Sequence, residues 1–235
     1  MKFENFQNYF HESWHRKIKP FIESAECDKI YEFLKKEGGR GKKIAPLSSN
    51  TFRCFLETPF DDLKAIMVGM CSYHTFKNDQ PIADGLLMGC SVTEQLQPSL
   101  EKFYEAIEKE LYDGVNVNYH KNPDVSYLAQ QGVLMLNAGL TVEMGKAGSH
   151  NLLWEPFMKY LFEEVLDVLR VPIIFLGKEA TKIERYVAPF TWTFKVSHPA
   201  SASYTGSEWD SEGVFRKVNK ILKDTNNETI DWLDI

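Results

Sequence analysis

The sequence predicts an α/β protein with three layers, in which helices cover both faces of a central, mostly parallel sheet of four strands. Two observations lead to this prediction. Four short segments of strand length alternate with segments whose apolar residues recur at helical spacing. Such alternation is typical of a parallel sheet. A chain of 235 residues is long enough for one domain of this kind. No internal repeat or linker is visible, so we expect a single domain over residues 1–235.

The first predicted elements are a helix and a basic segment. Asp28–Lys36 places Ile30, Phe33 and Leu34 on one face, which predicts a short helix. The glycine-rich segment Lys35–Lys43 that follows carries five cations. We interpret this segment as a solvated connection, with a phosphate-contacting loop as the alternative.

Two strands and a helix come next. Ala65–Gly69 is a continuous apolar run, as expected for a strand that is buried on both faces. Pro98–Leu111 has apolar residues at helical spacing, and Pro98 suits the first turn of a helix. Val133–Asn137 is a second continuous apolar run and predicts a second buried strand.

The C-terminal half predicts two helices and two strands. Trp154–Leu169 carries a regular apolar stripe and predicts a long amphipathic helix. Val171–Gly177 predicts the third strand, and Trp192–Pro199 contains the fourth. Ser211–Leu222 predicts a closing helix.

Glycine, asparagine, histidine or serine follows every predicted strand. In open parallel sheets, ligands bind beyond the carboxyl ends of the strands. The residues expected at this edge are Gly69–His74, Asn137–Gly139, Gly177 with Lys178, and Ser197–Tyr204. Four such turns that converge on one edge predict a functional site.

Composition argues against several other classes of protein. No apolar run approaches the roughly 20 residues of a membrane span, and the N-terminal segment has no apolar signal-peptide core. The four cysteines lie far apart, which argues against a zinc site and predicts reduced thiols in a cytoplasmic protein. The net charge of −6 disfavours a general nucleic-acid binder, although a local positive face is compatible with DNA binding.

A series of motifs resembles one known family. The chain reads GMCSYH, GLLMGCSV, PSL, QGVLMLNAGLTV, AGSH, FLGK, SHPASAS and IDW in this order. The hallmarks of the uracil-DNA glycosylases of the family-one type read GQDPYH, GLCFSV, PPSL, QGVLLLNAVLTV, ANSH, a WGS turn, HPSPLS and IDW. The resemblance is collinear from about Ser13 to the C-terminus. It implies the α/β/α fold of that family, and an enzyme that flips uracil out of DNA and hydrolyses its N-glycosidic bond.

The resemblance also implies roles for individual side chains around the base. Asn137 matches the asparagine that reads the uracil edge, and Tyr73 matches the tyrosine that excludes a 5-methyl group. His198 matches the histidine that bonds the O2 atom as negative charge develops on the leaving base. His74 matches a second histidine of the first motif, on the side of the attacking water. No cofactor or metal is implied.

Contacts to the DNA are implied for a further set of residues. Gly177 and Lys178 match a phosphate-contacting turn, and Tyr204 is a substitute for the leucine wedge, whose own position is taken by Ala202. The other implied contacts come from Ser99 in the PSL motif, from Pro46, Ser48 and Ser49 in a proline-containing segment, and from Ser201 and Ser203.

The chain differs from the family at residues that carry out the reaction. Cys71 stands where the family has the aspartate that orients the attacking water, and Met70 and Ser72 replace its glutamine and proline neighbours. Met88 or Cys90 takes the place of the stacking phenylalanine. The segment between His74 and Gly85 is longer than in the family. A cysteine of ordinary pKa, about 8.5, is mostly neutral at pH 7. A thiolate, stabilised by His74 or a helix N-terminus, is the alternative.

Two functions therefore stay open. The first is a glycosylase that excises uracil or a related base from single- or double-stranded DNA, with weak activity or an altered base preference. The alternative is an inactive homologue that binds DNA or a protein. A metabolic enzyme acting on a free nucleobase is disfavoured because no P-loop or dinucleotide-binding turn is present. We expect a monomer of bacterial, viral or phage origin, with a glycosylase inhibitor as a further candidate partner.

Overall fold

The central feature of the computed structural model is a sheet of four parallel strands. The structure describes residues 5–113, 117, 119 and 121–235. The strands are β1 (Ala65–Cys71), β2 (Val133–Gly139), β3 (Ile173–Leu176) and β4 (Thr193–Val196), in the spatial order β2-β1-β3-β4. Helices flank this sheet, and the predicted fold class is confirmed.

Nine α-helices lie among the described residues. They are α1 (Glu12–Ile22), α2 (Ala25–Gly39), α3 (Arg53–Glu57), α4 (Pro98–Tyr112), α5 (Ser126–Gln130), α6 (Asn151–Tyr160), α7 (Gly177–Thr181), α8 (Pro199–Thr205) and α9 (Val214–Asp224). Two small antiparallel pairs accompany the main sheet: Ile44–Ala45 with Val142–Glu143, and the hairpin Phe76–Lys77 with Gln80–Pro81.

The register of β1 and β2 arranges the side chains at the carboxyl edge. Gly69 lies opposite Asn137, and Cys71 lies opposite Gly139. Because side chains alternate along a strand, these four positions share one face of the sheet. The apolar parts of both strands are buried, as their continuous apolar sequences predict.

The basic segment Lys35–Lys43 is mostly exposed, as its interpretation as a solvated connection predicts, but part of it is helical. Helix α2 continues to Gly39, so the first half of this segment is helical. The buried carboxylate of Glu37 accepts hydrogen bonds from Lys42 and, over 3.0 Å, from Arg40. Two of the five cations are therefore held by an acid of the same helix. Phosphate contact by this segment stays a prediction.

Several predicted boundaries also shift. Strand β1 extends to Cys71, so the thiol lies within the strand and not in a turn. The predicted helix Trp154–Leu169 begins at Asn151, leaves the α-helical form after Tyr160 and continues as a π-helical turn, Leu161–Val165. Helix α1 was not predicted, although Trp14, Ile18 and Phe21 form its buried face at helical spacing.

Candidate active site

A cavity of about 490 Å³ opens at the carboxyl edge of the sheet. Segments 70–75, 87–88, 97–99 and 176–179 line it, together with Ala147 and several residues between positions 198 and 204. Turns that follow β1, β3 and β4 thus meet at one place. This is the arrangement expected for an open parallel sheet.

Most of the residues singled out from the sequence line this cavity. They are Met70, Cys71, Ser72, Tyr73, His74, Met88, Ser99, Gly177, Lys178, His198, Ser201, Ser203 and Tyr204. Six others do not line it: Asn137, Cys90, Ala202, Pro46, Ser48 and Ser49.

Three of the six residues that do not line the cavity lie on the segment that follows the short strand Ile44–Ala45. Pro46 is buried, and Ser48 and Ser49 are exposed but are not among the residues that line the cavity. The strand before them is paired with Val142–Glu143, which fixes where this segment runs. Pro98, the first residue of the PSL motif, and Gln97, which precedes it and was not singled out from the sequence, also line the cavity. The position of Gln97 next to that motif was the available signal.

The two remaining small side chains are enclosed in the protein. Cys90 is fully buried, and burial raises the pKa of its thiol to about 12. Met88 therefore forms the wall at this position. Ala202 is buried on the inner side of α8, whereas the side chain of Tyr204 is 86% exposed at the rim.

Cys71 is held as a neutral thiol. Its Sγ accepts a hydrogen bond from the backbone N–H of Gly148 over 3.3 Å. Burial raises the pKa of the thiol above its ordinary value, and this outweighs the opposing effect of the N–H. The influences on the pKa of this thiol are burial and the N–H of Gly148, and His74 is not among them, so the alternative of a thiolate stabilised by His74 gains no support.

His198 lies at the N-cap of α8, at the end of β4. Its Nδ1 accepts a hydrogen bond from the backbone N–H of Ala200 over 3.1 Å. Burial lowers the pKa of the imidazole to about 4, so the ring is neutral at pH 7. Because Nδ1 is the acceptor, the proton of the neutral ring is on Nε2. His198 is thus a hydrogen-bond donor within the cavity.

The close approach of two turns positions His198. Gly177 has a φ of +84°, and a Cβ placed on it would lie 3.2 Å from the Cβ of His198. A larger residue would therefore be strained by its backbone and would press on the imidazole. Only glycine lets the end of β3 pack this closely against the end of β4.

Tyr73 forms another wall and is anchored from a helix. Its hydroxyl shares a hydrogen bond of 2.6 Å with Oγ of Ser99, the second residue of α4. Burial raises the pKa of the phenol well above its ordinary value. The tyrosine is therefore a neutral, fixed part of the cavity wall.

Asn137 lies behind the wall instead of in it. Its side chain is 2% exposed, and Nδ2 donates a long hydrogen bond of 3.5 Å to Oγ of Ser72. Leu87 packs where a side chain at Gly69 would lie, beside Oδ1 of Asn137. Leu87 and Ser72 line the cavity at this place, and the amide lies beneath them.

A buried ion pair fixes the segment that carries Leu87 and Met88. The fully buried carboxylate of Asp84 accepts hydrogen bonds from the backbone N–H groups of Leu86 and Ser91. It also lies 2.8 Å from Nη1 of Arg53. The sequence reasoning missed this pair, because its members are distant along the chain.

The cavity carries one charge of each sign among its described lining residues, on Lys178 and Glu179. Glu179 is paired with Lys182 over 2.7 Å. The part of the chain that the structure describes contains no cluster of three or more metal-ligating side chains. Within the same residues, no helix is both long enough and apolar enough to span a membrane.

Comparison with known proteins gives consistent results. A uracil-DNA glycosylase of Streptococcus pneumoniae (strain Hungary19A-6) is 34% identical over 227 residues, which cover 95% of this chain and 99% of that protein. The mimivirus uracil-DNA glycosylase superposes with a TM-score of 0.84 at 20% identity, covering 98% of this chain and 90% of that one. The wild-type UNG of Nitratifractor salsuginis gives a TM-score of 0.59 at 15% identity, covering 95% and 94%. No family model matches the chain.

The fold and the site define an open α/β protein with a ligand cavity at the carboxyl edge of its sheet. The chain belongs to the uracil-DNA glycosylase family, as its motifs predicted.

Proposed function

We propose that this protein excises uracil from DNA by hydrolysing the N-glycosidic bond, after the nucleotide has been flipped into the cavity. The observation that best supports this function is the neutral imidazole of His198, whose Nε2–H is available as a donor within the cavity. Membership of the family supplies the substrate class. Enzymes that act on a base in a duplex have to extrude it first.

His198 suits the charge that develops during this reaction. When the bond to the sugar breaks, negative charge accumulates on the departing base. A preorganised donor that meets this charge typically contributes about 10²–10³ in rate. The neutral ring donates through its Nε2–H.

The group that would orient the attacking water is weaker here than a carboxylate. A carboxylate at position 71 would orient the attacking water and offset the positive charge on the sugar. The neutral thiol of Cys71 carries no charge and is a poor acceptor. We therefore expect slow excision, driven mainly by the stabilisation of the departing base.

DNA contacts are assigned to the rim of the same cavity. Lys178 supplies a positive charge for a phosphate, and the hydroxyls of Ser201 and Ser203 supply polar contacts nearby. The exposed ring of Tyr204 is a candidate for stacking on the neighbouring bases, which would help to hold the nucleotide outside the helix.

A second candidate function is binding without cleavage, which the neutral Cys71 favours. The partner would be single- or double-stranded DNA, or a protein. Two solved mimivirus structures are complexes of UNG with UGI, so an inhibitor protein is one such candidate. For either function we propose a monomer located in the cytoplasm, where it would meet its DNA.

An alkali-cleavage assay tests the proposal. Single- and double-stranded oligonucleotides with uracil or 5-hydroxymethyluracil are incubated with stoichiometric protein and then treated with alkali. We expect strand breaks at uracil that the His198→Ala variant no longer produces. Tight DNA binding without breaks on any of these substrates would instead establish the second function.

A further inference from the structure

A short β-hairpin stands at the rim of the cavity. Its strands are Phe76–Lys77 and Gln80–Pro81, and it directly follows Thr75, which lines the cavity. Asn78 and Asp79 form the turn with φ values of 49° and 63°. Two positive φ values in succession are what a two-residue hairpin turn of type I′ requires, and asparagine and aspartate tolerate them. The hairpin is therefore a defined element beside the cavity.

The two faces of this hairpin differ in their surroundings. Phe76 lies opposite Pro81, and Lys77 lies opposite Gln80. Pro81 is buried, and the ring of Phe76 packs against a small buried apolar cluster. Since side chains alternate along a strand, Lys77 and Gln80 extend from the other face, and both are exposed. The apolar face anchors the hairpin, and the polar face is presented to solvent.

The polar face carries an ammonium group that is not neutralised. The neighbouring carboxylate of Asp79 is paired with Lys43. Within the part of the chain that the structure describes, Lys77 has no ion pair and the amide of Gln80 has no hydrogen bond. Lys77 is two residues beyond Thr75, so their Cα atoms are within about 8 Å of each other. A cation and an amide donor therefore lie together next to the mouth of the cavity.

We propose that Lys77 and Gln80 contact a phosphate of the DNA backbone beside the extruded nucleotide. This inference rests on the proposed function, because a base held in the cavity brings its flanking phosphates to the rim. A protein with a net charge of −6 has to bind DNA through local cations. Among the described residues that line the cavity, Lys178 is the only cation, and it follows β3. Lys77 adds a second cation from the segment after β1.

Methylphosphonate substitution in the DNA locates this contact. The probes are duplex oligonucleotides with one 2′-fluorinated deoxyuridine, which resists cleavage. A single uncharged methylphosphonate is moved stepwise along either strand. Dissociation constants are measured over a range of salt concentrations for the wild type, Lys77→Gln, Lys77→Arg and Gln80→Ala.

Lys223→Gln is the matched control. Lys223 is also exposed and has no ion pair among the described residues. It lies in the last turn of α9. The segment after this helix reaches the amino edge of the sheet, where Glu228 pairs over 3.1 Å with Lys64, the residue before β1. The control therefore removes an equivalent charge at the edge opposite the cavity.

We expect Lys77→Gln to bind the fully charged duplex about three- to tenfold more weakly than the wild type, and to reduce the salt slope of log K by about one. Lys77→Arg retains the slope. Gln80→Ala weakens binding without a change in slope, because a neutral amide releases no counterion. At one methylphosphonate position the wild type loses affinity, whereas Lys77→Gln loses no more. Lys223→Gln binds as the wild type does.

Two results would overturn the inference. One is a Lys77→Gln variant with the affinity and the salt slope of the wild type. The other is a set of losses from Lys77→Gln and from the methylphosphonate that add at every position, which would mean that the lysine contacts no phosphate. Both results concern binding alone, whereas the proposed excision is judged by strand breaks, so the two can fail separately. Thermal unfolding of each variant shows that it is folded.

Discussion

The backbone N–H of Gly148 donates a hydrogen bond to Sγ of Cys71 across the end of the sheet. A sulfur atom is a weak acceptor, and the burial of the thiol keeps it neutral. The same N–H would make a stronger, charge-assisted hydrogen bond to a carboxylate at this position. The backbone around Cys71 therefore already offers one donor that a carboxylate at this position would use.

The first prediction concerns Cys71→Asp. We expect this variant to excise uracil at least tenfold faster than the wild type, because its carboxylate would offset the charge on the sugar and orient water. Single-turnover excision from a uracil oligonucleotide measures the change. Cys71→Asn provides the control, since it has a similar shape and no charge. Equal rates for the two variants would show that charge at position 71 does not limit the reaction.

The second prediction concerns His198. Replacement by alanine removes the donor to the departing base, and we expect the excision rate to fall by about 10²–10³. Loss of the acceptor for the N–H of Ala200 should also destabilise α8 by about 1 kcal/mol. These two effects are separated by measuring the excision rates of the wild type and the variant at a temperature well below the midpoint of thermal unfolding. A rate within a factor of three of the wild type would remove His198 from the mechanism.

The pH dependence of stability follows from the same imidazole. Its pKa is lowered from 6.5 to about 4 in the folded protein, so below pH 6.5 the unfolded chain binds more protons than the native one. The free energy of unfolding should therefore decrease as the pH falls from about 6.5 to about 4, and His198 contributes no further change below that. Urea unfolding of the wild type and His198→Gln at several pH values isolates this contribution. Parallel curves for the two proteins would contradict it.

Gly177→Ala tests the approach of the two turns. The new Cβ would meet His198 at 3.2 Å, and the φ of +84° is unfavourable for alanine. We expect a loss of about 1–2 kcal/mol in stability, together with slower excision. Gly41→Ala is the matched control, because it has a φ of +80° and nothing within 4 Å of its Cβ. Excision that falls equally in both variants would mean that backbone strain alone is responsible.

Asp84→Ala tests the ion pair beneath the cavity wall. Removing one partner of a buried pair typically costs about 3–5 kcal/mol, because the other charge is left without compensation. Here Arg53 retains contacts with Glu57 and Asp124, which places the expected loss near the lower limit. Chemical denaturation measures this loss. Asp79→Ala removes an exposed pair with Lys43 and should have little effect.

The sequence was informative wherever local pattern determines structure. The apolar runs of β1 and β2 predicted the parallel sheet, and its geometry predicted that Cys71 and His198 would lie at one edge. The position of Asn137 was not predictable in this way. It depends on Leu87, whose path is fixed by the pairing of Asp84 with a residue of α3. Contacts between distant parts of the chain leave no periodic signal.

Helix α8 shows a different kind of omission. The segment Ser197–Tyr204 was interpreted as a turn, although Pro199 follows a histidine whose side chain caps the helix. Proline in the first turn is a recognised start signal, so this helix could have been predicted.

The partial exposure of Cys71 has a practical consequence. The other three cysteines are buried, so a thiol-specific electrophilic label small enough to enter the cavity would find one accessible thiol. Alkylation there would occupy the space of the base and could carry a fluorescent reporter. The cysteine at position 71, which weakens water activation, thus also provides a site for covalent labelling inside the cavity.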